Sequence, residues 1–148
     1  MKKFLIILLL MLTIILPTFA TNWVQVGEKI YMDTDTIEPF IDDYGHRVPN
    51  QYSYWVKILN NNSSNIKSIE KRYNKKIWYT MYKEVIDLNR KTSAMKFFTH
   101  YDLKDAPIVG QEIDSILMDW TSIIPNTVGD LEYMIIQEYI DRMYRRSR

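Results

Sequence analysis

The chain has 148 residues, with 19 basic and 18 acidic side chains and a formal charge of +1 at pH 7. Nucleic-acid binding needs a strongly basic face or domain, so this balance argues against DNA or RNA as a partner. The absence of cysteine excludes a disulfide, thiolate catalysis and a cysteine-ligated metal, so packing has to stabilise the fold.

The first 20 residues have the three regions of a secretory signal peptide. Lys2 and Lys3 precede an apolar run from Phe4 to Leu16, and Pro17 begins a short segment that ends at Ala20. The alternative is an uncleaved membrane anchor, but a spanning helix needs about 20 apolar residues and this run is shorter. We therefore expect a signal peptide over residues 1–20 and a single mature domain over residues 21–148, with no membrane span after cleavage.

The first part of the mature chain predicts two strands and then a long irregular segment. Aromatic or β-branched residues alternate with polar ones over Trp23–Asp33, with a turn or bulge at Gly27. The segment Asp33–Pro39 favours a turn, because its Asp and Thr side chains bond their own backbone and its proline disfavours an internal strand. Asp42–Pro49 is predicted to be a loop. Its paired Asp residues lack the regular oxygen ligands of a calcium loop, which favours a solvated turn.

The middle of the chain predicts a sheet. Gln51–Leu59 alternates as a strand with large side chains on both faces. Ile77–Asp87 and Thr92–Tyr101 are two further strands, joined by the polar connection Leu88–Lys91, which has hairpin length. Ile108–Ile113 can add one more strand.

The C-terminal stretch predicts a helix with one buried face. Thr127 is a suitable N-cap, and Asp130 is placed as in a capping box, so the helix should begin near Thr127. The residues predicted to form its buried face recur three or four apart: Leu131, Met134, Ile135, Ile136, Tyr139, Ile140 and Met143. Burial of each large side chain contributes about 2 kcal/mol, so docking on the sheet is favoured. The predicted fold class is α+β, an antiparallel β-sheet of about five or six strands packed against one C-terminal α-helix.

An ordered set of motifs runs through the whole mature chain: Trp23-Val24-x-Val26-Gly27, Tyr31-x-Asp33-x-x-Thr36-Ile37, Trp55-Val56-Lys57 and Trp120-x-x-Ile123-x-Pro125-x-Thr127-Val128-Gly129-Asp130. This set resembles the bacterial surface-adhesin protein E-like family. The resemblance implies a small exported domain with an antiparallel sheet and a C-terminal helix. It also implies a domain that is often dimeric, in a family whose best-known member binds host extracellular-matrix and serum proteins.

One departure from the family concerns cysteine. The resemblance implies a Cys directly after the Asp of the central strand and another in the last helix. Here Leu88 follows Asp87, and the helix has no Cys. Such a disulfide contributes roughly 3 to 4 kcal/mol, which two further well-buried side chains can match. We therefore expect packing to hold the helix to the sheet.

The sequence offers little for catalysis. His46 and His100 are far apart, and neither belongs to a spaced ligand pair. A surface hydrogen-bonding role for His100 is favoured over a general base, which also needs a positioned partner and substrate. There is no Gly-x-Ser-x-Gly motif or phosphate-binding glycine loop. We predict that the protein is not an enzyme and has no catalytic, cofactor-binding or metal-binding residues.

Two basic groups are the strongest electrostatic features. The first follows the polar tract Asn60–Asn65, and the second lies at the end of the helix. Their candidate partner-binding residues are Lys67, Lys71, Arg72, Lys75 and Lys76, and Arg142, Arg145 and Arg146. One interpretation is a solvated loop and a helix end decorated with cations. The other is attachment to an acidic partner such as a heparin-like glycan, an acidic host protein or anionic envelope lipid, through contacts that weaken as salt rises.

Aromatic residues make up 14% of the chain. Most occur at strand spacing, which favours core packing, but a surplus on the outer sheet face, such as Trp55 or Trp78, would form a partner-binding surface. The first functional hypothesis is a non-enzymatic exported interaction domain with a protein or acidic glycan partner at the cell surface. The alternative is a periplasmic envelope or stress-associated binding module with a bacterial partner. A homodimer is compatible with either hypothesis.

Overall fold

The computed structural model describes residues 22–59 and 63–146. The predicted signal peptide, residues 1–20, lies outside the described residues. Within the described ranges, no helix is long and apolar enough to cross a membrane.

The described chain is an antiparallel sheet with a helix at its C-terminal end. The strands are β1 (Trp23–Gly27), β2 (Ile30–Ile41), β3 (Arg47–Leu59), β4 (Tyr79–Asp87), β5 (Thr92–Tyr101), β6 (Pro107–Glu112) and β7 (Thr121–Ser122). Each strand from β1 to β6 pairs with the next, and β7 pairs with β5. The helices are α1 (Ser64–Tyr73) and α2 (Val128–Arg146), with a 3₁₀ turn at Ser115–Leu117. The predicted α+β class, with a C-terminal helix on an antiparallel sheet, is confirmed.

The predicted turn at Asp33–Pro39 is wrong, because β2 continues through this segment. The Asp33 carboxylate accepts the Asp35 N–H at 3.1 Å, and the Thr36 hydroxyl donates to the Asp33 carbonyl at 2.8 Å. These bonds accompany a break in register between Asp33 and Glu38, so the local signals produce a bulge inside a strand. Pro39 is tolerated because β1 pairs only with the first part of β2, which leaves one edge free here.

The predicted loop over Asp42–Pro49 is shorter than expected, because β3 already begins at Arg47. The connection is a tight turn built on Asp42. Its Oδ1 accepts the N–H groups of Tyr44 at 3.0 Å and His46 at 2.8 Å. Asp42 therefore orders the turn through backbone hydrogen bonds, as the solvated-turn interpretation requires.

The basic segment interpreted as a loop is a helix, so that part of the prediction is wrong. Ser63 caps α1 by accepting the Ile66 N–H, and Asn74 ends it in the left-handed conformation with φ 49°. Lys71 and Arg72 lie in the last turn, where cations complement the helix dipole. Ile66 is buried, and it lines a depression together with Ile58, Thr80 and Tyr82 of the sheet.

Helix α2 covers one face of the sheet. Ile136 is fully buried in a cluster with Met32, Tyr54, Val56 and Ile86. A smaller cluster lies on the opposite face, where Phe40, Val85, Ala94 and Met118 pack together with Trp120 beside them. Trp120 thus anchors the segment that leads into α2.

The predicted buried face of α2 is partly wrong. Leu131, Met134 and Met143 are exposed, whereas Glu132 is only 3% exposed. The buried stripe contains Glu132 and Ile136, four residues apart, so an ionisable residue occupies a position that the apolar spacing did not predict to be buried.

The start of α2 is within one residue of the prediction. Asp130 Oδ2 accepts the Asn126 N–H at 2.8 Å, as a reach-back carboxylate should. The Thr127 hydroxyl donates to the Ile124 carbonyl at 2.7 Å, so the predicted side-chain cap by Thr127 is wrong.

The start of α2 also lies close to the β1–β2 turn. A Cβ on Gly27 would lie 2.9 Å from Val128 Cγ2, so glycine at this turn permits the close approach of the helix.

Candidate functional site

Helix α1 presents a basic surface. Lys67, Lys71 and Arg72 are exposed on it, and Lys75 and Lys76 follow it directly. A depression of about 440 Å³ lies on this surface, lined by Lys67, Glu70, Lys71, Asn74, Lys75 and Lys76. The structure therefore brings the first predicted basic group together on one short element.

Two of these cations are paired. Lys76 Nζ lies 3.1 Å from Glu70 Oε2, and Lys75 Nζ lies 3.7 Å from Asp102 Oδ2. Glu70 Oε1 also accepts the Ile77 N–H at 2.9 Å, and this bond together with Lys76 lowers the pKa of Glu70. Within residues 22–59 and 63–146, no salt bridge engages Lys67, Lys71 or Arg72. These three side chains are exposed, and the charge of Lys67 contributes to lowering the pKa of Glu70.

The C-terminal basic group lies elsewhere. Arg142 pairs with Glu138 at 2.7 Å, Arg145 is exposed, and Arg146 is the last residue of α2. The end of α2 lies beside Tyr52 of β3, whereas α1 lies beside Ile58. At about 3.3 Å per residue, these positions on β3 are about 20 Å apart. The two predicted basic groups do not form one site.

Trp78 is half exposed, at 50%, and lies just before β4. Its neighbour Ile77 is buried, and the Trp78 N–H donates to the Tyr101 carbonyl at 2.8 Å. The backbone is therefore fixed while the indole faces solvent. Trp55 differs, because it lies within the sheet and contacts Phe97 edge-on.

We expect Trp78→Ser to change the free energy of unfolding by less than about 1 kcal/mol, because exposed side chains contribute little to stability. Urea unfolding measures this, with Ile77→Ala as the control, for which core truncation predicts a loss of about 2 to 5 kcal/mol. Equal losses for both variants would place Trp78 in the core and remove it as a partner-binding residue.

One Tyr and two Glu residues form a cluster between the sheet and α2, in which Tyr54 and Glu132 are buried and Glu84 is half-buried. The Tyr54 hydroxyl oxygen is 3.1 Å from Glu84 Oε2 and 3.1 Å from Glu132 Oε2. A phenol has one proton to donate, so it can satisfy only one carboxylate in this way. The other carboxyl is satisfied if it is protonated and donates to the Tyr54 oxygen. The cluster thus joins β3, β4 and α2 through two hydrogen bonds that meet at the Tyr54 hydroxyl.

The electrostatics of the cluster favour this protonated form. Burial, reinforced by the charge of Glu84, raises the pKa of Glu132 to about 8. Burial also raises the pKa of Glu84. Among the described residues, no cation forms a salt bridge with either carboxyl group. Sequence reasoning missed this cluster, although Glu132 lies four residues before Ile136 on the same helical stripe.

The two histidines have separate environments. His100 is buried, and its Nδ1 lies 2.7 Å from the Thr80 hydroxyl, so the predicted surface role is wrong. Burial lowers the pKa of His100 and favours its neutral form. His46 is exposed in the β2–β3 turn. Among the residues that the structure describes, no group of three or more His, Asp or Glu side chains could hold a metal ion.

Comparison with models of protein families gives no match, and comparison with curated proteins gives none. Among solved structures, the selenomethionine form of Haemophilus influenzae protein E is similar, with a TM-score of 0.51 and 13% identity over 77% of this chain and 84% of that chain. Crystal form II of the same protein gives a TM-score of 0.49 and 11% identity over 77% and 85%. The likeness is one of fold. The resemblance to the protein E-like family that the motifs indicate is thereby confirmed for the fold.

In this version of the protein E fold, packing joins the helix to the end of β4. Leu88 packs against the main core, and the Tyr133 hydroxyl donates to the Leu88 carbonyl at 3.3 Å. Lys91 Nζ lies 5.5 Å from the centre of the Tyr133 ring. These contacts surround the position at which the family resemblance implies a cysteine, so side-chain packing and a hydrogen bond occur there in place of a covalent link.

Proposed function

We propose that the protein is a non-enzymatic exported interaction domain that binds an acidic partner through α1. The observation that carries the proposal is the set of three exposed cations without salt bridges, Lys67, Lys71 and Arg72, on a helix docked to the sheet. The predicted signal peptide and the protein E fold support export and a role in binding. The partner is a protein or an acidic glycan at the cell surface. Binding through α1 does not require the homodimer, which is a separate prediction.

The position of the cations suits an anionic surface. Lys67 and Lys71 are one helical turn apart and so share a face, and Arg72 is adjacent. Arginine and lysine both bind carboxylate and sulfate oxygens, and a docked helix limits the entropy lost on binding. Attraction between exposed charges extends over about 10 Å at 0.1 M salt, so affinity should fall as salt rises.

Heparin is a suitable acidic probe for this surface. We expect the variant Lys67→Ala, Lys71→Ala, Arg72→Ala to bind heparin about tenfold or more weakly than the parent, with a smaller dependence on salt. Surface plasmon resonance between 50 mM and 500 mM NaCl measures both quantities. The matched control is Arg142→Ala with Arg145→Ala, which removes cations from the far end of the domain. Equal binding by the parent and the α1 variant, or affinity independent of salt, would contradict the proposal.

The compartment is tested separately. Protease added to intact cells should degrade the protein if it is displayed at the surface. Protection in intact cells, with cleavage after the outer envelope is opened, would instead favour the alternative, a periplasmic envelope or stress-associated module with a bacterial partner.

A further inference from the structure

Two loops at one edge of the domain expose four large apolar side chains. The exposed fractions are 59% for Ile41, 70% for Tyr44, 73% for Ile116 and 76% for Leu117. Ile41 and Tyr44 belong to the β2–β3 hairpin, and the other two to the 3₁₀ turn. We call these four residues the apolar tip. Contiguous exposed apolar side chains commonly mark interaction surfaces.

Specific hydrogen bonds hold the apolar tip in place. Asp43 Oδ1 accepts from Lys96 Nζ, and Asp43 Oδ2 accepts the Ser115 N–H at 2.6 Å. The bond from Lys96, together with that from Ser115, lowers the pKa of Asp43 to about 2. Asp114 Oδ1 accepts the Ile116 N–H at 3.0 Å. The Asp43–Ser115 bond joins the two loops, and the other bonds order each of them. Because this order exists before any partner binds, little ordering entropy remains to be lost on binding.

A groove of about 490 Å³ adjoins the apolar tip on the sheet face opposite α2. Trp55 and Phe97 line it, and their rings meet edge to face with centroids 5.7 Å apart. Ile41 belongs to both the apolar tip and the groove lining, so the two features form one continuous surface.

The charged side chains of the groove are mostly acidic. Lys83 Nζ lies 3.0 Å from Glu38 Oε1, and Lys96 Nζ lies 3.4 Å from Glu112 Oε1 in addition to its contact with Asp43. Glu38 and Glu112 remain largely exposed. Four carboxylates and two lysines line the groove, a formal charge of −2: Glu38, Asp42, Asp43, Glu112, Lys83 and Lys96.

We propose that the apolar tip and this groove form a second docking surface, which binds a protein segment carrying arginine or lysine between apolar residues. The apolar residues of the segment cover Ile116 and Leu117. Its cation enters the groove, where an aromatic face and the exposed carboxylates both favour positive charge. The apolar tip favours a protein over an acidic glycan, which the groove charge would repel. This surface is opposite in sign to α1 and does not depend on the function proposed for that helix.

Three labelled peptides of equal length test the proposal on the full-length protein. The probe is acetyl-Gly-Ser-Leu-Arg-Leu-Lys-Leu-Ser-Gly. One control replaces its Arg and Lys by Glu, and the other replaces its three Leu residues by Ser. Fluorescence anisotropy should show saturable binding of the probe and at least tenfold weaker binding of each control peptide. Absence of saturable binding, or a preference for the Glu peptide, would overturn the proposal.

Two double variants locate the site. We expect Glu38→Gln with Glu112→Gln, and Ile116→Ser with Leu117→Ser, each to weaken probe binding about tenfold, with thermal melts confirming that the fold is intact. The matched control is Met134→Ser with Glu138→Gln, exposed positions on α2, which should bind like the parent. The α1 triple variant should also retain probe binding, which separates this surface from the heparin site. Parent-like binding by both groove and tip variants would place the peptide elsewhere and refute the assignment.

Discussion

Between pH 7 and pH 8, the free energy of unfolding is expected to fall by about 1 kcal/mol, and Glu132→Gln should largely abolish that fall. The pKa of Glu132 is about 8 in the folded protein, above its ordinary value of 4.5, so folding takes up a proton between pH 4.5 and pH 8. The stability associated with this group is complete below pH 4.5 and is lost as pH rises to 8. While folding takes up one full proton, the free energy of unfolding falls by about 1.4 kcal/mol per pH unit, and this slope decreases as pH approaches 8. Gln reproduces the shape of the protonated carboxyl group and can donate to the Tyr54 oxygen.

Urea unfolding at several pH values measures this effect. The pKa of His100 is lowered by burial, so its contribution is lost only as pH falls through 6.5 and below, outside the chosen window. The pKa of Tyr54 is raised well above 10, mainly by burial, so its phenol stays protonated. Glu138→Gln, an exposed change on the same helix, is the control and should retain the parent slope. A flat parent profile from pH 7 to pH 8 would contradict the account in which one carboxyl group of the cluster is protonated.

Ile136→Asp is expected to destabilise the domain by about 3 to 5 kcal/mol or to prevent folding, because it buries an unpaired charge in the main core. Ile136 is fully buried between α2 and the sheet. The matched control is Met134→Asp on the exposed side of the same helix, which should change stability by less than about 1 kcal/mol. Circular dichroism during urea unfolding measures both variants. Similar stability for the two would mean that α2 is not docked as described.

The sequence predicts strands best where alternation and turn chemistry agree. The second strand of the central hairpin, Thr92–Tyr101, has its predicted limits, and the first begins at Tyr79 instead of Ile77. Ile66, Ile69 and Tyr73 recur at helical spacing, but helix α1 has only ten residues, is mostly polar and follows a polar tract, so it was interpreted as a loop. The bulge near Asp33 was predicted as a turn, because local hydrogen bonds look alike whether or not a strand resumes after them.

The candidate sites were only partly predictable for a related reason. Cation density near Lys71 is visible in the chain, but the pairing of Lys75 with Asp102 depends on strands brought together by the fold. Glu84 and Glu132 are 48 positions apart, and each lies in a segment whose pattern is explained by its apolar neighbours. Contacts of this kind carry no local signal. They follow from the register of β3 with β4 and from the rotation of α2 about its axis.

The order of the strands affects how the chain folds. From β1 to β6, every strand pairs with its neighbour in sequence, so the sheet can grow through successive antiparallel pairs. The β3–β4 connection is the longest of these, because it contains α1. Helix α2 comes last, and the core residues that it covers, such as Met32, Val56 and Ile86, come earlier. If the chain emerges from export with its N-terminus first, the sheet can therefore form before its cover. That interval is when the growing chain is most prone to aggregation, and it ends only when α2 docks.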